Sequence, residues 1–139
     1  MEITMFEKAI NDIKDLPKYD EVFWQFGPMD GGCLIFAKAM LLAFGPGKLA
    51  RITRQIGDNE NWYSQTEHYG VVLGDWIYDA EGAYPTPTAW VERFAEAELL
   101  PVKRLGVAVG FDEDSQITDD AASSKMLAKL LAESIGKVA

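Results

Sequence analysis

His68-Tyr69-Gly70-Val71-Val72-Leu73-Gly74-Asp75-Trp76-Ile77-Tyr78-Asp79-Ala80 decides how this chain is read. Residues 68–73 and 76–80 are two β-prone runs, and the Gly74-Asp75 dipeptide between them suits a tight hairpin turn. A turn there pairs Leu73 with Trp76, Val72 with Ile77 and Gly70 with Asp79. Side chains alternate along a strand, so His68 and Gly70 share a face, and Asp79 lies on that face displaced by one pair. The side-chain origins are then roughly 5–8 Å apart, a gap that a carboxylate and an imidazole bridge. A four-residue loop that keeps the Val72–Ile77 pair preserves this registry, whereas a one-residue slip turns Asp79 to the other face. Glu81 would face His68 directly across the same hairpin, as a rival orienting carboxylate or as a solvated turn residue.

Upstream, Gly31 and Gly32 precede a segment from Cys33 to Phe44 that is apolar on nearly every face, with Gly45 and Pro46 as its stop. A helix that is hydrophobic all round belongs in the middle of a domain. Cys33 opens that helix, where first-turn N–H groups and the positive end of the helix dipole favour a thiolate. Its own N–H is placed as an oxyanion donor, and the glycines let a substrate backbone approach. The plain alternative is a cysteine packed at a helix end, since cysteine is among the most buried residue types. His68 is the sole histidine, and a lone histidine is more often structural or surface than catalytic. The facing carboxylate of Asp79 is what gives it a role.

The remaining elements build around these. Thr4 and Glu7 have capping-box spacing, and Phe6, Ile10, Ile13 and Leu16 recur at helical intervals until Pro17 stops the run. An aromatic-rich stretch, Tyr19 to Phe26, leads into a loop of turn formers at 27–32. Leu49 to Ile56 reads as a strand, 57–67 as a polar surface loop holding Trp62 and Tyr63, and Val102 to Val109 as a further strand. Thr86 and Pro87 are an N-cap and first-position pair for a helix reaching about Glu98. An acidic, turn-rich piece at 112–120 precedes an amphipathic helix, roughly Ala121 to Ile135, with Met126, Leu127, Leu130, Leu131 and Ile135 on its apolar side. Gly45-Pro46-Gly47-Lys48 lacks the context and length of a phosphate loop.

Bulk composition excludes several classes of function. With 139 residues, 48% of them hydrophobic, one domain spanning 1–139 with a continuous core is expected. The longest apolar run, Ala39 to Phe44, is far short of the ~20 residues of a membrane span, and the N-terminus lacks a basic stretch followed by a hydrophobic block. No membrane or export targeting is expected. A single cysteine forms no intramolecular disulfide, which makes a soluble, cytoplasmic protein the default. Thirteen Lys and Arg against twenty-two Asp and Glu give a net charge of -9, a field that repels phosphate backbones, so nucleic acid is not an expected partner. The acidity is compatible with a basic protein partner and equally with solubility alone.

Cys33, His68 and Asp79 fill the three roles of nucleophilic catalysis once each: imidazole takes the thiol proton, carboxylate fixes the ring, and thiolate attacks a carbonyl. A metal site from the same three residues lacks paired-ligand spacing, and no metal or cofactor is expected. Gly31-Gly32-Cys33 with its helix, His68-Tyr69-Gly70-Val71-Val72, and Trp76-Ile77-Tyr78-Asp79-Ala80 resemble, in order and spacing, three blocks of the papain-like cysteine enzyme superfamily, nearest to its transglutaminase-like branch. The resemblance runs from about Gly31 to Gly82. The link from His68 to Asp79 is shorter than in a full transglutaminase core.

The resemblance implies an α+β fold with a papain-like core: a buried central helix carrying the cysteine at its N-terminus, packed on a small antiparallel sheet, with flanking N- and C-terminal helices. It implies Cys33 as nucleophile, His68 as base and Asp79 as orienting acid of an acyl-transfer enzyme of peptidase, amidase, deamidase or transglutaminase type. Its substrate or partner would be a protein or peptide. A glutamine upstream of the cysteine adds an oxyanion donor in papain-like proteases, and Gln25 is the nearest candidate, against its reading as an ordinary polar loop residue. Two alternatives stand beside the enzyme. One is a non-catalytic papain-like binding protein, such as a phage or mobile-element inhibitor or accessory factor acting by docking. The other is a structural domain with a buried, inert cysteine. Trp62, Tyr63, Tyr69 and Tyr84 offer walls for a cleft, although aromatic residues beside a small core more often serve packing.

Overall fold

Helix periodicity at the two ends of the chain and strand alternation between them give an α+β arrangement. The computed structural model describes residues 3–23, 32–58 and 60–138. In chain order the elements are α1 (Ile3–Ile13), α2 (Pro17–Val22), α3 (Cys33–Phe44), β1 (Lys48–Gly57), β2 (Trp62–Leu73), β3 (Trp76–Asp79), β4 (Gly82–Tyr84), α4 (Pro87–Glu98), a 3₁₀ turn (Val102–Arg104), β5 (Leu105–Val109) and α5 (Ala121–Val138). The strands form one five-stranded antiparallel sheet in the order β4-β3-β2-β1-β5. Among the described residues no helix is long and apolar enough to cross a membrane.

The β2–β3 hairpin has the expected register, with Leu73 opposite Trp76, Val72 opposite Ile77 and Val71 opposite Tyr78. Gly74 has φ +63° while Asp75 stays at negative φ. That is the demand of a type II′ turn, whose first central position takes glycine. Helix α3 also has the expected bounds. Leu34, Ile35, Phe36, Ala37, Ala39 and Met40 are all buried, with α5 and the sheet as neighbours. Ser124 of α5 donates its hydroxyl to the Ile35 carbonyl at 3.1 Å, tying the two helices together at a buried point.

The sheet separates two apolar layers. One face carries α1, α2, α3 and α5 over Tyr69, Val71, Leu73 and Tyr78. The other carries α4, whose Trp90, Val91 and Phe94 cover Ala50, Ile52 and Ile77. Thr86 caps α4 by accepting the Ala89 N–H at 3.1 Å, with Pro87 in the first turn as expected. Gly70 sits under the α4 layer: a Cβ there would lie 2.6 Å from the Trp90 ring and 2.9 Å from the Tyr78 carbonyl oxygen. Gly70→Ala is therefore expected to cost about 1–3 kcal/mol of stability through overpacking against a fixed ring and backbone. Urea unfolding measures it, and a loss below about 0.5 kcal/mol, the range of unconstrained surface changes, would contradict the packing described.

Several sequence expectations need correction. Pro17 does not only end a run: α1 stops at Ile13, Leu16 becomes the N-cap of α2, and Pro17 occupies that helix's first turn, where its missing N–H costs nothing. The polar stretch 57–67 is not mainly loop, because β2 begins at Trp62 and pairs with β1 from Gly57↔Trp62 onward. His68 consequently sits inside a strand rather than at its start. Residues 102–104 form a 3₁₀ turn, so β5 is shorter than expected and begins at Leu105. The short strand β4 has no counterpart in the sequence reading. Met126 is exposed, unlike Leu127, Leu130 and Leu131, and α5 continues past Ile135 to Val138.

Candidate functional site

Strand geometry places the three sequence candidates. A two-residue hairpin closes on a hydrogen-bonded pair, so Leu73, Val71 and, by alternation, Tyr69 point their backbone groups to the β3 side of β2. The ladder to β3 ends at Val71↔Tyr78, and the next position in register sets Asp79 beside Gly70. Tyr69 has no β3 residue opposite it in that ladder. Its N–H is taken instead by Cys33, whose Sγ accepts it at 3.4 Å. The first residue of α3 thus stands against the edge of β2 where β3 gives out. Gly32, the N-cap of α3, supplies no side-chain cap, so the first-turn N–H groups of α3 receive no cap from it.

Asp79 and His68 meet on the α4 side of the sheet. The His68 Nε2 lies 3.0 Å from Asp79 Oδ2, and Trp90 Nε1–H donates to the same oxygen at 2.9 Å. The other oxygen, Oδ1, accepts the backbone N–H groups of Glu81 at 2.9 Å and Gly82 at 3.2 Å. A carboxylate with these partners acts only as an acceptor, which requires Nε2 to carry a hydrogen. Neutral His68 then presents a lone pair at Nδ1. That atom is buried and has no hydrogen-bond partner among the described residues. The ring itself is clamped, stacked on Phe94 at 5.2 Å and tilted against Trp90 at 5.8 Å.

Burial is the largest influence on the imidazole and would lower its pKa, but the hydrogen bond to Asp79 and the nearby negative form of Cys33 outweigh it and raise the value to about 9. Burial alone would raise the Asp79 carboxyl. The His68 hydrogen bond and charge, with the Trp90 and Glu81 donors, reverse that and hold it below the usual carboxylate value. Burial and the Asp79 charge push the Tyr84 phenol above its ordinary range. Cys33, His68, Asp79 and Trp90 are each no more than 3% exposed, so these interactions act in a dry environment.

The structure thus brings Cys33, His68 and Asp79 together. It removes Glu81 as the rival carboxylate: the chain turns after Asp79, Glu81 points outward, and its carboxylate pairs with Arg93 at 3.3 Å. What Glu81 gives the site is its backbone N–H. Gln25 lies outside the described residues. Of the aromatic residues considered as cleft walls, Tyr69 is fully buried and accepts the Asp112 N–H at its phenol oxygen, Tyr84 is half-buried, and Trp62 and Tyr63 are exposed. Among the described residues no group of three His, Cys, Asp or Glu side chains is placed to hold a metal ion.

Sequence reasoning missed Trp90 and Phe94. They lie at i and i+4 on one face of a helix whose capping signals were legible, and a tryptophan indole in a core calls for an acceptor, a need that Asp79 meets. No family model matches the sequence, and comparison with curated proteins and with solved structures gives no match.

Proposed function

We propose that this chain is a cysteine-nucleophile acyl-transfer enzyme on a papain-like core nearest the transglutaminase-like branch, with Cys33 as nucleophile, His68 as base and Asp79 as orienting acid. The observation that carries this reading is the set of four donors around Asp79. A carboxylate so held keeps the hydrogen of His68 on Nε2 and leaves Nδ1 free to take a proton. The reaction follows from these roles. At neutral pH, below the imidazole's raised value of about 9, Nδ1 already holds the proton given up by the thiol, and the Cys33 sulfur bonds to the carbonyl carbon of an amide. The imidazolium returns the proton to the departing nitrogen as the C–N bond breaks, leaving a thioester. Water or an amine then attacks the thioester, its proton passing through the imidazole to the sulfur as the C–S bond breaks. The substrate class is a protein or peptide carbonyl.

Alkylation by iodoacetamide tests the arrangement directly. At neutral pH the rate at Cys33 is expected to fall about tenfold or more in His68→Ala, which loses both base and imidazolium charge, and by a smaller factor in Asp79→Asn. Cys33→Ala should take no label. In urea, where the site is dismantled, the cysteine-containing variants should react alike. A folded wild type whose rate ignores both substitutions would overturn the reading.

A second reading, a papain-like scaffold acting by docking, draws on the burial of the Cys33 side chain, 3% exposed. A Cys33→Ala variant that retains the full biological effect would favour it.

A further inference from the structure

Strand β2 is longer than its partner on one side. It pairs with β1 from Trp62 to Val72 apart from one bulged residue, but with β3 only from Val71 to Leu73. Its first half therefore has one edge without a strand partner among the described residues. On regular β1 the residues facing β2 alternate: Lys48, Ala50 and Ile52 oppose Val72, Gly70 and His68, and Arg54 and Ile56 continue the series opposite Gln65 and Tyr63. Glu67 is the extra residue of the bulge between Ile52 and Thr53. The backbone groups of Trp62, Ser64 and Thr66 are left pointing to the open side.

That open edge borders a groove of about 710 Å³, with Tyr63 to Glu67 on one wall and Asp112 and Asp114 to Thr118 on the other. The far wall is tied in place. Asp112 Oδ2 accepts the Thr66 hydroxyl at 2.6 Å. Asp112 Oδ1 accepts the Asp114 N–H at 3.0 Å, and Ser115 Oγ accepts the Ile117 N–H. Arg51 binds the Gly110 carbonyl, and Phe111 stacks on Tyr69 at 6.2 Å. The groove is thus preformed, and its inner end at Glu67 adjoins His68, one residue short of the Tyr69 N–H that holds Cys33.

We infer that the ligand of this groove is an extended polypeptide segment, added as a strand to the open edge of β2 over Trp62–Thr66 and leading its carbonyl to Cys33. Backbone pairing supplies the affinity and is tolerant of sequence, with the exposed Trp62 and Tyr63 at the outer end as apolar contacts. An unfolded chain meets this requirement; a small amide without flanking backbone does not. What happens to the segment at the thiol rests on the acyl-transfer reading, whereas its binding does not.

The probe is fluorescein-labelled, reduced and alkylated casein, an unfolded polypeptide, followed by anisotropy. Proline at position 64 removes only an N–H that points away from β1, so Ser64→Pro is expected to weaken casein binding about tenfold or more, whereas Ser64→Ala, which keeps the N–H, binds within about twofold of wild type. Amide exchange on the wild-type protein guards against a folding defect in the proline variant: casein should slow exchange at Ser64 and Thr66. Wild type that does not bind casein, unaltered exchange at both amides, or a folded Ser64→Pro that binds as tightly as wild type would each overturn the inference. A concentration-dependent dimer that casein does not dissociate would place a second copy on the edge and overturn it as well. Casein protection of Ser64 and Thr66 together with a thiol that ignores His68→Ala would uphold the groove and sink the acyl-transfer reading instead.

Discussion

Trp90→Ala is expected to lower the free energy of unfolding by about 3–5 kcal/mol, more than any other single truncation argued for this molecule. Three losses fall together. The indole is 1% exposed and fills the space above Gly70, so its removal opens a cavity in the layer between α4 and the sheet. It stacks obliquely on His68, so the ring loses one side of its clamp. It also donates to Asp79 Oδ2, so a buried carboxylate loses a donor in a place where water is excluded. Trp90→Phe separates these effects in part: it keeps much of the buried area but removes the N–H together with part of the indole, and should cost about 1–3 kcal/mol, less than the full truncation. Urea unfolding gives both values. An unchanged slope with a lower midpoint would show that stability, and not the denatured state, has moved. A Trp90→Ala loss below about 1 kcal/mol would mean that the α4 layer collapses around the hole and does not brace the site.

The parts of this site legible in the sequence are those fixed by local chemistry. Gly74 is the residue a type II′ turn demands, and once the turn is even-membered, alternation alone carries Asp79 to the face of His68. Gly32 and the Gly45-Pro46 pair bracket α3, and a run without a polar face has no place except the interior. What stayed hidden depends on contacts distant in sequence. Residues 62–67 are polar on both faces because that half of β2 is covered little by either helical layer, so composition suggested a loop even though β1 pairs with it from Trp62 to Thr66. Glu81 has the right parity for a carboxylate facing His68, but the chain turns at Ala80 and Glu81, and alternation ends where the strand does. Nothing local marks Trp90 within the helix that Thr86 and Pro87 announce; its role appears only when α4 is laid across the sheet and Asp79 is seen to need a further donor.

Between pH 6.5 and about 9 the protein is expected to lose about 3 kcal/mol of stability, and His68 is the cause. The folded pKa of the imidazole, about 9, lies above its ordinary value of 6.5, so the native state binds that proton more tightly than the unfolded chain does. The contribution is fully present below pH 6.5, declines as pH rises, and is gone once the folded form itself deprotonates. Asp79 behaves in the opposite sense. Its folded pKa is held below 3.8, so its contribution is present above that pH and fails only as acid protonates the native carboxylate. Stability should therefore form a plateau between about pH 4 and 6.5 and fall on its alkaline side. The buried phenols do not blur this window, because burial pushes Tyr19 and Tyr78 up to about 12, and their effect begins only above the ordinary tyrosine value of 10.0. Urea unfolding at half-unit steps from pH 5.5 to 9.5 measures the curve. His68→Gln, which cannot take the proton, should flatten the alkaline limb. Cys33→Ala should move that limb to lower pH, because the negative form of Cys33 is among the causes that raise the imidazole. A wild-type curve that is level from pH 6 to 9 would mean that His68 folds as a neutral ring, and that no ion pair with Asp79 forms at the centre of the site.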